Sequence, residues 1–444
     1  MHKPLKALIA GALAVLSCGA VSASAAVTHP DSLINLKAQS TKIMYIDGRP
    51  TDNATLRADK DSIYRLIATF YYDQFRHFQD PDAPYFLFMS KEAGLSMGIG
   101  GSVRMRAFYD WNGAVPGSAF APFTIPIPAN PQSMRRFSST PAGTGLFFRI
   151  IGHHHTIGTY QLYIETDFTG YESRGLKLKK AYATIEDFTV GYATSTFSDP
   201  AAQPVVIDAA GNNNKFSHTS VLVRYMPCFK QRWYVGISLE TPSTAVDRTM
   251  QSVKPLSEWL PDVAALGQYE WAPGQHVRLS AIARSLSYRD VTANSNHNLA
   301  GWGVQLSSVA RPARALTTYV NLCGGRGIAG LGSDLQYGYY DLLTDPKNPQ
   351  RLYTPLSLGW SLGLQYNFRP DFFMSVAASQ TYLDSRKGSP ESEYRCGTFA
   401  CINAYWNILP RLSVAAEIDY GRRENVSKEA RNAWRANVMC AFSF

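Results

Sequence analysis

The C-terminal stretch of the chain, residues 430–444, alternates between two kinds of side chain. One row is apolar and largely aromatic: Trp434, Ala436, Val438, Cys440, Phe442 and Phe444. Because successive side chains of a β-strand point to opposite faces, this pattern predicts a two-faced strand with an aromatic residue at its end. In a soluble domain such a terminal strand would promote edge-to-edge aggregation. A closed barrel has no edge, so we expect the last strand to pair with the first, with Phe442 and Phe444 facing lipid.

After Pro84 apolar residues recur with a period of two, which predicts an all-β transmembrane antiparallel barrel formed by residues 85–444. Sixteen strands fit the pattern, an even number, as bacterial outer-membrane barrels require. They are predicted at residues 95–109, 144–152, 158–168, 176–187, 188–197, 217–227, 232–241, 262–271, 276–288, 299–310, 315–323, 354–368, 371–382, 394–407, 411–422 and 431–444. Short and long connections alternate between them, as periplasmic turns and external loops do in such barrels. We expect the long loop at residues 198–216 to fold inward and narrow the lumen.

The N-terminus has the features of an export signal. A basic start with Lys3 and Lys6 precedes an apolar stretch and the small residues Ala23-Ser24-Ala25-Ala26. This combination predicts a secretory signal peptide over residues 1–25, with cleavage near Ala25. Cys18 offers an alternative that the sequence leaves open, namely lipidation of this cysteine in a lipoprotein.

Residues 26–84 precede the barrel, and we expect them to lie in the periplasm. They are polar and aperiodic as far as about residue 59. Residues 61–78 then carry apolar side chains at helical spacing, which predicts a short amphipathic helix ended by Asp80-Pro81-Asp82-Ala83-Pro84. A helix packed under the barrel is favoured over a partner-binding coiled coil.

Composition excludes other classes of protein. No later segment approaches the roughly 18 consecutive apolar residues of a transmembrane helix. The chain contains 25 Tyr, 22 Phe and 8 Trp, which suits strands that carry aromatic belts. Loss of Lys3 and Lys6 with the signal lowers the formal net charge from +9 to +7. No basic run resembles a nucleic-acid-binding arm, so we expect no nucleic-acid partner.

The candidate metal ligands lack a suitable arrangement. The cysteines beyond the signal have no metal-ligand spacing: Cys228, Cys323, Cys396, Cys401 and Cys440. Because Cys396 and Cys401 are predicted on opposite faces of one strand, they cannot form a disulfide, and we expect free thiols that fill apolar space. His153-His154-His155 lies in a predicted turn, where adjacent side chains diverge. We therefore expect no metal site and no cofactor.

The sequence gives no indication of an enzyme. Glu417 and Asp419 share a strand face, but lining the lumen is a simpler role for them than glycoside hydrolysis, which also requires a sugar cleft. An outer-membrane hydrolase would need serine, histidine and an amide or carboxylate clustered near the lipid-facing rim. No such cluster is evident from the sequence.

The apolar row of each strand fixes which charged residues face the lumen. The predicted basic residues are Arg104, Arg106, Lys177, Lys179, Arg224, Arg278, Arg284, Arg395 and Arg435. The acidic minority is Glu165, Asp167, Glu240, Glu417 and Asp419. A lysine or arginine facing lipid near the midplane would cost about 2–4 kcal/mol, which favours the inward phase. The basic excess predicts an anion-favouring lumen; in the alternative, opposite charges pair and only solvate the wall.

Several short motifs occur along the mature chain. They are Asp80-Pro81-Asp82-Ala83-Pro84-Tyr85-Phe86, Gly98-Ile99-Gly100-Gly101, Leu178-Lys179-Lys180-Ala181-Tyr182, Thr189-Val190-Gly191 with Thr196-Phe197 and Asp199, and the terminal Phe444. Together they resemble the DcaP-like trimeric outer-membrane porins, in the form found in Bacteroidetes-type bacteria. The resemblance implies a homotrimer of sixteen-stranded barrels, each with its own pore, that passes small and often negatively charged solutes.

We therefore expect a passive diffusion channel in the outer membrane of a Gram-negative bacterium, with a periplasmic N-terminus. Its expected partners are small hydrophilic, predominantly anionic solutes, outer-membrane lipid, further copies of the chain, and the barrel-assembly machinery, which would recognise the C-terminal strand. The alternative is a closed outer-membrane barrel with a structural or adhesion role and a lumen filled by side chains and loops. Sixteen strands favour the channel, because barrels of this size usually enclose water.

Overall fold

The computed structural model describes residues 42–46, 84–90, 95–169, 175–216, 218–246, 252–338 and 340–444. The expected signal peptide at 1–25 and the expected helix at 61–78 lie outside these residues. The described helices are short 3-10 turns at Pro122–Thr124, Pro131–Ser133, Pro200–Ala202, Ala329–Leu331 and Leu335–Gly338. None of them is long and apolar enough to cross a membrane.

Strands account for most of the described chain. They are β1 (Lys42–Tyr45), β2 (Phe86–Ser90), β3 (Leu95–Trp111), β4 (Arg135–Thr140), β5 (Gly145–His154), β6 (Gly158–Asp167), β7 (Lys177–Ile185), β8 (Phe188–Thr194), β9 (Thr219–Tyr225), β10 (Cys228–Phe229), β11 (Trp233–Glu240), β12 (Val253–Pro255), β13 (Asp262–Ala272), β14 (Gln275–Asp290), β15 (Ser295–Ala313), β16 (Leu316–Arg326), β17 (Leu343–Asp345), β18 (Asn348–Tyr353), β19 (Leu356–Arg369), β20 (Phe372–Asp384), β21 (Tyr394–Leu409), β22 (Leu412–Asn425) and β23 (Ala430–Ser443).

Sixteen strand positions close into one antiparallel barrel, which confirms the predicted fold class. The wall runs through β3, β4 with β5, β6, β7, β8, β9, β11, β13, β14, β15, β16, β19, β20, β21, β22 and β23. β4 and β5 share one position because both pair with β3. Each predicted strand overlaps one of these positions, so the period-two pattern located the whole wall.

The barrel closes between its last and first strands, as predicted. β23 pairs with β3 from Trp434 opposite Trp111 to Ser443 opposite Ser102. Phe444 then exchanges two backbone hydrogen bonds with Gly101, at 2.9 and 2.8 Å. Beyond this point the edge of β3 pairs with β2, and β2 pairs in parallel with β1. The segment expected to be aperiodic therefore contributes a strand, β1, which pairs with the edge of β2 that β3 leaves open.

The two faces of the wall differ sharply in polarity. On β19 the inward Ser357 and Ser361 are buried, at 2% and 1% exposure. The outward residues of the same strand are 37–56% exposed: Leu358, Leu362, Leu364, Tyr366 and Phe368. Aromatic pairs occur toward both ends of the wall, Trp111 with Trp434 and Trp233 with Tyr269, with ring centroids 6.0 and 4.5 Å apart. An outward apolar band flanked by aromatic residues is the surface that contacts lipid.

Long connections fold into the barrel and form its apolar core. Phe120 and Ile125, from the connection at residues 112–134, pack against Phe399 and Ala433 of the wall. Phe197 and Phe216 at the ends of the 198–216 loop pack in a second cluster, together with Ile328 and Leu331 of the 327–342 connection. The sequence predicted the inward position of the 198–216 loop alone, because an aperiodic connection has no phase that reveals its direction.

Candidate functional site

Most of the predicted lumen residues lie on the inward face of the wall. Arg104 and Arg106 alternate with Val103 and Met105, which are 58% and 57% exposed on the lipid side. The same inward placement holds for Lys177, Lys179, Arg224, Glu240, Arg278, Arg284, Glu417, Asp419 and Arg435. The interior therefore contains a large set of ionisable groups, and their partners decide what it can do.

Arg395 lies on the outer face, so its assignment to the lumen was wrong. The strand pairing slips between Tyr394 and Cys396, and the fully buried Tyr394 takes the inward position. Arg395 turns outward, where its Nη1 lies 3.4 Å from a Glu424 oxygen and its guanidinium lies 6.0 Å from the Tyr382 ring. A bulge of this kind inserts one residue and reverses the phase that the sequence pattern assigns.

A second bulge, on β7, places Lys179 and Lys180 on the same side. Glu165 pairs with Lys180 whereas Thr166 pairs with Leu178, so Lys179 is the additional residue. Lys179 Nζ lies 3.2 Å from Asp167 Oδ2, and Lys180 lines an inward cavity. Uninterrupted alternation would send Lys180 to lipid, which is why sequence reasoning missed it.

Asp208 joins the 198–216 loop to the wall. Its Oδ2 lies 2.5 Å from Arg106 Nη1 and 3.1 Å from Arg435 Nη1. Its Oδ1 accepts a hydrogen bond from the Phe120 backbone N–H at 2.7 Å, so the 112–134 connection is held at the same point. Burial alone would raise the pKa of Asp208, but Arg106 and Arg435 outweigh burial and hold the pKa below its ordinary value. The ion pairs therefore persist at neutral pH.

Glu417 fastens the backbone of the same loop. Its Oε2 accepts from the Ile207 N–H at 2.7 Å, and its Oε1 accepts from the Asp208 N–H at 2.8 Å. Asn403 Nδ2 also donates to Oε2, at 2.9 Å. Glu417 is 2% exposed, so the loop covers this predicted lumen residue. The inward face of β22 is consequently a docking surface for the loop.

The start of the loop is anchored on β14 and β15 by a cluster that sequence reasoning missed. Asp199 Oδ2 lies 2.8 Å from His276 Nε2 and accepts from Ser307 Oγ at 2.5 Å. Both hydrogen bonds end on Asp199, whereas the histidine of a hydrolase triad lies between the serine and the carboxylate. Asp199, His276 and Ser307 are each at most 1% exposed. This arrangement anchors the loop and lacks the geometry of a hydrolase site.

Arg284 holds the 327–342 connection. Its Nε lies 3.0 Å from Asp262 and its Nη1 lies 3.2 Å from Asp341. It also donates to the carbonyl oxygens of Ser243 and Gly327, at 2.5 and 2.6 Å. Arg278 Nη1 likewise lies 3.5 Å from Oδ1 of Asp199, in the 198–216 loop. Loop carboxylates thus neutralise much of the basic set that the sequence predicted to line an open lumen.

A cavity of about 240 Å³ lies on the inward side of β5 to β9. Three basic residues contribute to its lining, namely Arg149, Lys180 and Arg224. Arg149 and Arg224 are 2% and 5% exposed. Glu186 and Asp187, in the turn between β7 and β8, also line the cavity and are exposed. The lining therefore contains more basic than acidic side chains, and its two carboxylates lie in the exposed turn.

Buried polar side chains lie on the 198–216 loop and on the inward faces of β15, β16 and β19. At least one side-chain polar atom of each has no hydrogen-bond partner among the described residues: Asn212, Asn214, Gln305, Asn321 and Ser361. All are at most 1% exposed. Buried polar groups are nearly always satisfied, by ordered water where the protein offers no partner. The loop and this part of the wall therefore both carry buried polar side chains.

A closed barrel with an apolar exterior, aromatic rims and inward loops has the fold of an outer-membrane porin. The structure is similar to that of the outer-membrane channel DcaP of Acinetobacter baumannii, with a TM-score of 0.69 and 18% identity over 80% of this chain and 99% of that chain. It is also similar to an anion-selective porin from Comamonas acidovorans, with a TM-score of 0.53 and 9% identity over 79% of this chain and 100% of that one.

A third similar structure is a loop-deletion mutant of OmpT, an outer-membrane protein of Vibrio cholerae, with a TM-score of 0.51 and 8% identity over 79% of this chain and 100% of that one. No protein-family model matches the chain, and no curated protein sequence matches it. At these identities the similarity establishes the fold. Membership of the DcaP-like family and a Bacteroidetes-type origin stay predictions.

Proposed function

We propose that this protein is an outer-membrane porin through which small hydrophilic solutes, predominantly anions, diffuse passively. The observation that carries the proposal is the closed sixteen-strand barrel whose outer face is apolar and whose inner face is polar and charged. Barrels of this size are wide enough to enclose water. The inward loops would then set the width of the path, and the wall residues that they leave uncovered would set its charge.

The preference for anions rests on the β5 to β9 side of the barrel. Arg106, Arg278, Arg284 and Arg435 each lie within 3.5 Å of a carboxylate oxygen, so they add little net field. The cavity on the other side is lined by three basic side chains, Arg149, Lys180 and Arg224, against two carboxylates, Glu186 and Asp187, so its lining has a basic excess. Low-dielectric walls focus the field of such groups and raise the local concentration of anions.

Reversal potentials in a KCl gradient test the preference. We expect an anion-selective sign for the wild type, which weakens as salt shortens the Debye length from about 10 Å at 0.1 M to about 3 Å at 1 M. The substitution Lys180→Glu, in the lining of the cavity, should shift the potential toward cation selectivity. Lys254→Glu, at an exposed position on β12 away from the cavity, is the control and should leave it unchanged. A cation-selective wild type would contradict the proposed preference.

The alternative function is that of a closed barrel with a structural or adhesion role. The observation that supports this alternative is the packing of long loops inside the barrel. Single-channel recording of the purified protein in a planar bilayer separates the two functions. A porin produces steady open current in defined steps. Repeated insertions without current would establish the closed barrel.

The remaining proposals concern location and assembly. We infer a Gram-negative outer membrane, a periplasmic N-terminus after removal of residues 1–25, and recognition of the C-terminal strand by the barrel-assembly machinery. The homotrimer rests on the resemblance to DcaP-like porins. Cross-linking in native membranes followed by denaturing electrophoresis tests it, since a trimer yields a species of three chains and a monomeric barrel yields none.

A further inference from the structure

We propose that Cys401, Glu417 and Asp419 form a binding site for a divalent cation of the zinc class, on the inner wall behind the 198–216 loop. The three residues come from two neighbouring strands, with Cys401 of β21 directly opposite Asp419 of β22. One potential ligand atom of each residue lies within 4.8 Å of those of the other two. Their exposures are 5%, 2% and 0%, so the donor atoms converge in a protected position.

The two carboxylates of this cluster have no cation in contact with them among the described residues. Among the described residues, neither Glu417 nor Asp419 has a basic nitrogen within the 4.0 Å of an ion pair, although both are buried. Arg435 lies opposite Asp419 in the sheet, but its guanidinium is turned to Asp110 and Asp208, at 2.6 and 3.1 Å. Adjacent buried carboxylates with no cation in direct contact are unfavourable.

One carboxylate oxygen of the cluster is free to coordinate. Asp419 Oδ2 accepts from Asn437 Nδ2 at 2.7 Å. Asp419 Oδ1 is buried and has no hydrogen-bond partner within the part of the chain that the structure describes. Because an unmade hydrogen bond on a buried carboxylate is costly, coordination of a metal ion by this oxygen would relieve that cost.

The donor set selects the class of cation. A thiolate with two carboxylates suits zinc, which binds sulfur at about 2.3 Å and oxygen at about 2.0–2.2 Å in tetrahedral geometry. Calcium and magnesium prefer oxygen ligands alone. The positive charge of the ion also allows a coordinating thiol to lose its proton. Binding would draw the three donor atoms closer together and add a countercharge beside Glu417, which holds the backbone of Ile207 and Asp208.

Metal content and cobalt spectroscopy test the site in the full-length protein refolded into detergent. After refolding with zinc and dialysis, we expect about one equivalent of zinc per chain. Cobalt substitution should produce the near-ultraviolet charge-transfer absorption of a cobalt–thiolate bond. Cys401→Ser should abolish this absorption, and Asp419→Asn should weaken zinc binding at least tenfold. Cys440→Ser, which removes an exposed thiol on the outer face, is the matched control and should behave as the wild type.

The wild-type cobalt spectrum tests thiolate ligation even if a variant fails to fold, and heat-modifiable migration on gels shows which variants have folded. Substoichiometric zinc in the wild type, or charge-transfer absorption that persists in Cys401→Ser, would overturn the proposal. Equal zinc affinity in folded Asp419→Asn would do the same, because it would show that Asp419 is not a ligand. None of these outcomes depends on whether the barrel conducts.

Discussion

Arg435 on the last strand and Asp208 in the inward loop form a fully buried ion pair, with Nη1 and Oδ2 3.1 Å apart. The same guanidinium contacts Asp110 of the first strand, with Nε and Oδ1 2.6 Å apart. One side chain therefore ties the closing seam of the barrel to the loop that occupies its lumen. Removal of one partner from a buried pair typically costs about 3–5 kcal/mol, because the other charge is left uncompensated.

Asp208→Asn should loosen the loop and enlarge the channel. The substitution leaves Arg106 without its carboxylate and leaves Arg435 paired with Asp110 alone, so we expect a higher and noisier single-channel conductance and a stronger anion preference. Asp345→Asn is the control, because Asp345 also pairs with an arginine, Arg386, but in a more exposed position. Such pairs contribute about 0–1 kcal/mol. If both variants conduct as the wild type does, the ion pair does not restrain the loop.

Gly363→Ala should displace the loop by steric contact alone. Gly363 faces inward on β19, and a Cβ there would overlap the Pro204 ring of the loop. Overpacking of this kind costs about 1–3 kcal/mol, and we expect faster proteolysis of the 198–216 loop in folded protein. Gly267→Ala is matched in chemistry, because a Cβ at Gly267 meets nothing within 4 Å. Equal proteolysis of the two variants would show that the loop tolerates the added methyl group.

The wall was predictable from the sequence because its lipid face and inner face impose a period of two on every strand. The inward position of Asp110 could also have been predicted, because Asp110 shares the face of Arg104 and Arg106 on the first strand. Arg395 and Lys180 could not be placed, because a bulge shifts the phase without a distinctive residue type. Those errors are local and leave the order of the strands unchanged.

The ion pairs between loop carboxylates and arginines of the wall were the larger part of the interior that the sequence did not predict. Asp199, Asp208 and Asp341 lie in connections without periodicity, and they contact residues that are distant in sequence, such as Arg278, Arg106 and Arg284. The alternation of residues in a strand does not indicate which connection turns inward or which wall residues its carboxylates contact. A count of inward basic residues therefore overstates the field of the lumen, because loop carboxylates neutralise several of them.

Asp334 should make stability depend on pH. It accepts hydrogen bonds from the Phe123 N–H at 2.8 Å and the Tyr394 hydroxyl at 2.7 Å, and burial raises its pKa to about 6. Because the folded pKa lies above the unfolded value near 3.8, the folded state binds more protons between these values. Stability should therefore fall as pH rises from about 4 to 6, by up to about 3 kcal/mol.

Unfolding midpoints in urea at pH 4, 5, 6 and 7 measure this dependence. Asp334→Asn has no titrating group at this position, so its curve should be flatter than that of the wild type. Asp208 acts in the opposite sense, because its pKa is lowered, but its contribution is lost only below about pH 4. Parallel curves for the wild type and Asp334→Asn would mean that Asp334 does not titrate in this range.

Deletion of Phe444 should impair barrel assembly more than Ser443→Ala. Phe444 makes two backbone hydrogen bonds with Gly101 at the closing seam, and its loss removes both of them together with the terminal aromatic ring. Ser443 lies between the outward Phe442 and the terminal Phe444, and Ser443→Ala retains the backbone pairing with Ser102. Every wall strand must find its backbone partners within the barrel, because lipid offers none. The two variants are compared by the amount of heat-modifiable protein in outer-membrane fractions. Equal amounts would show that neither the seam hydrogen bonds nor the terminal ring limits assembly.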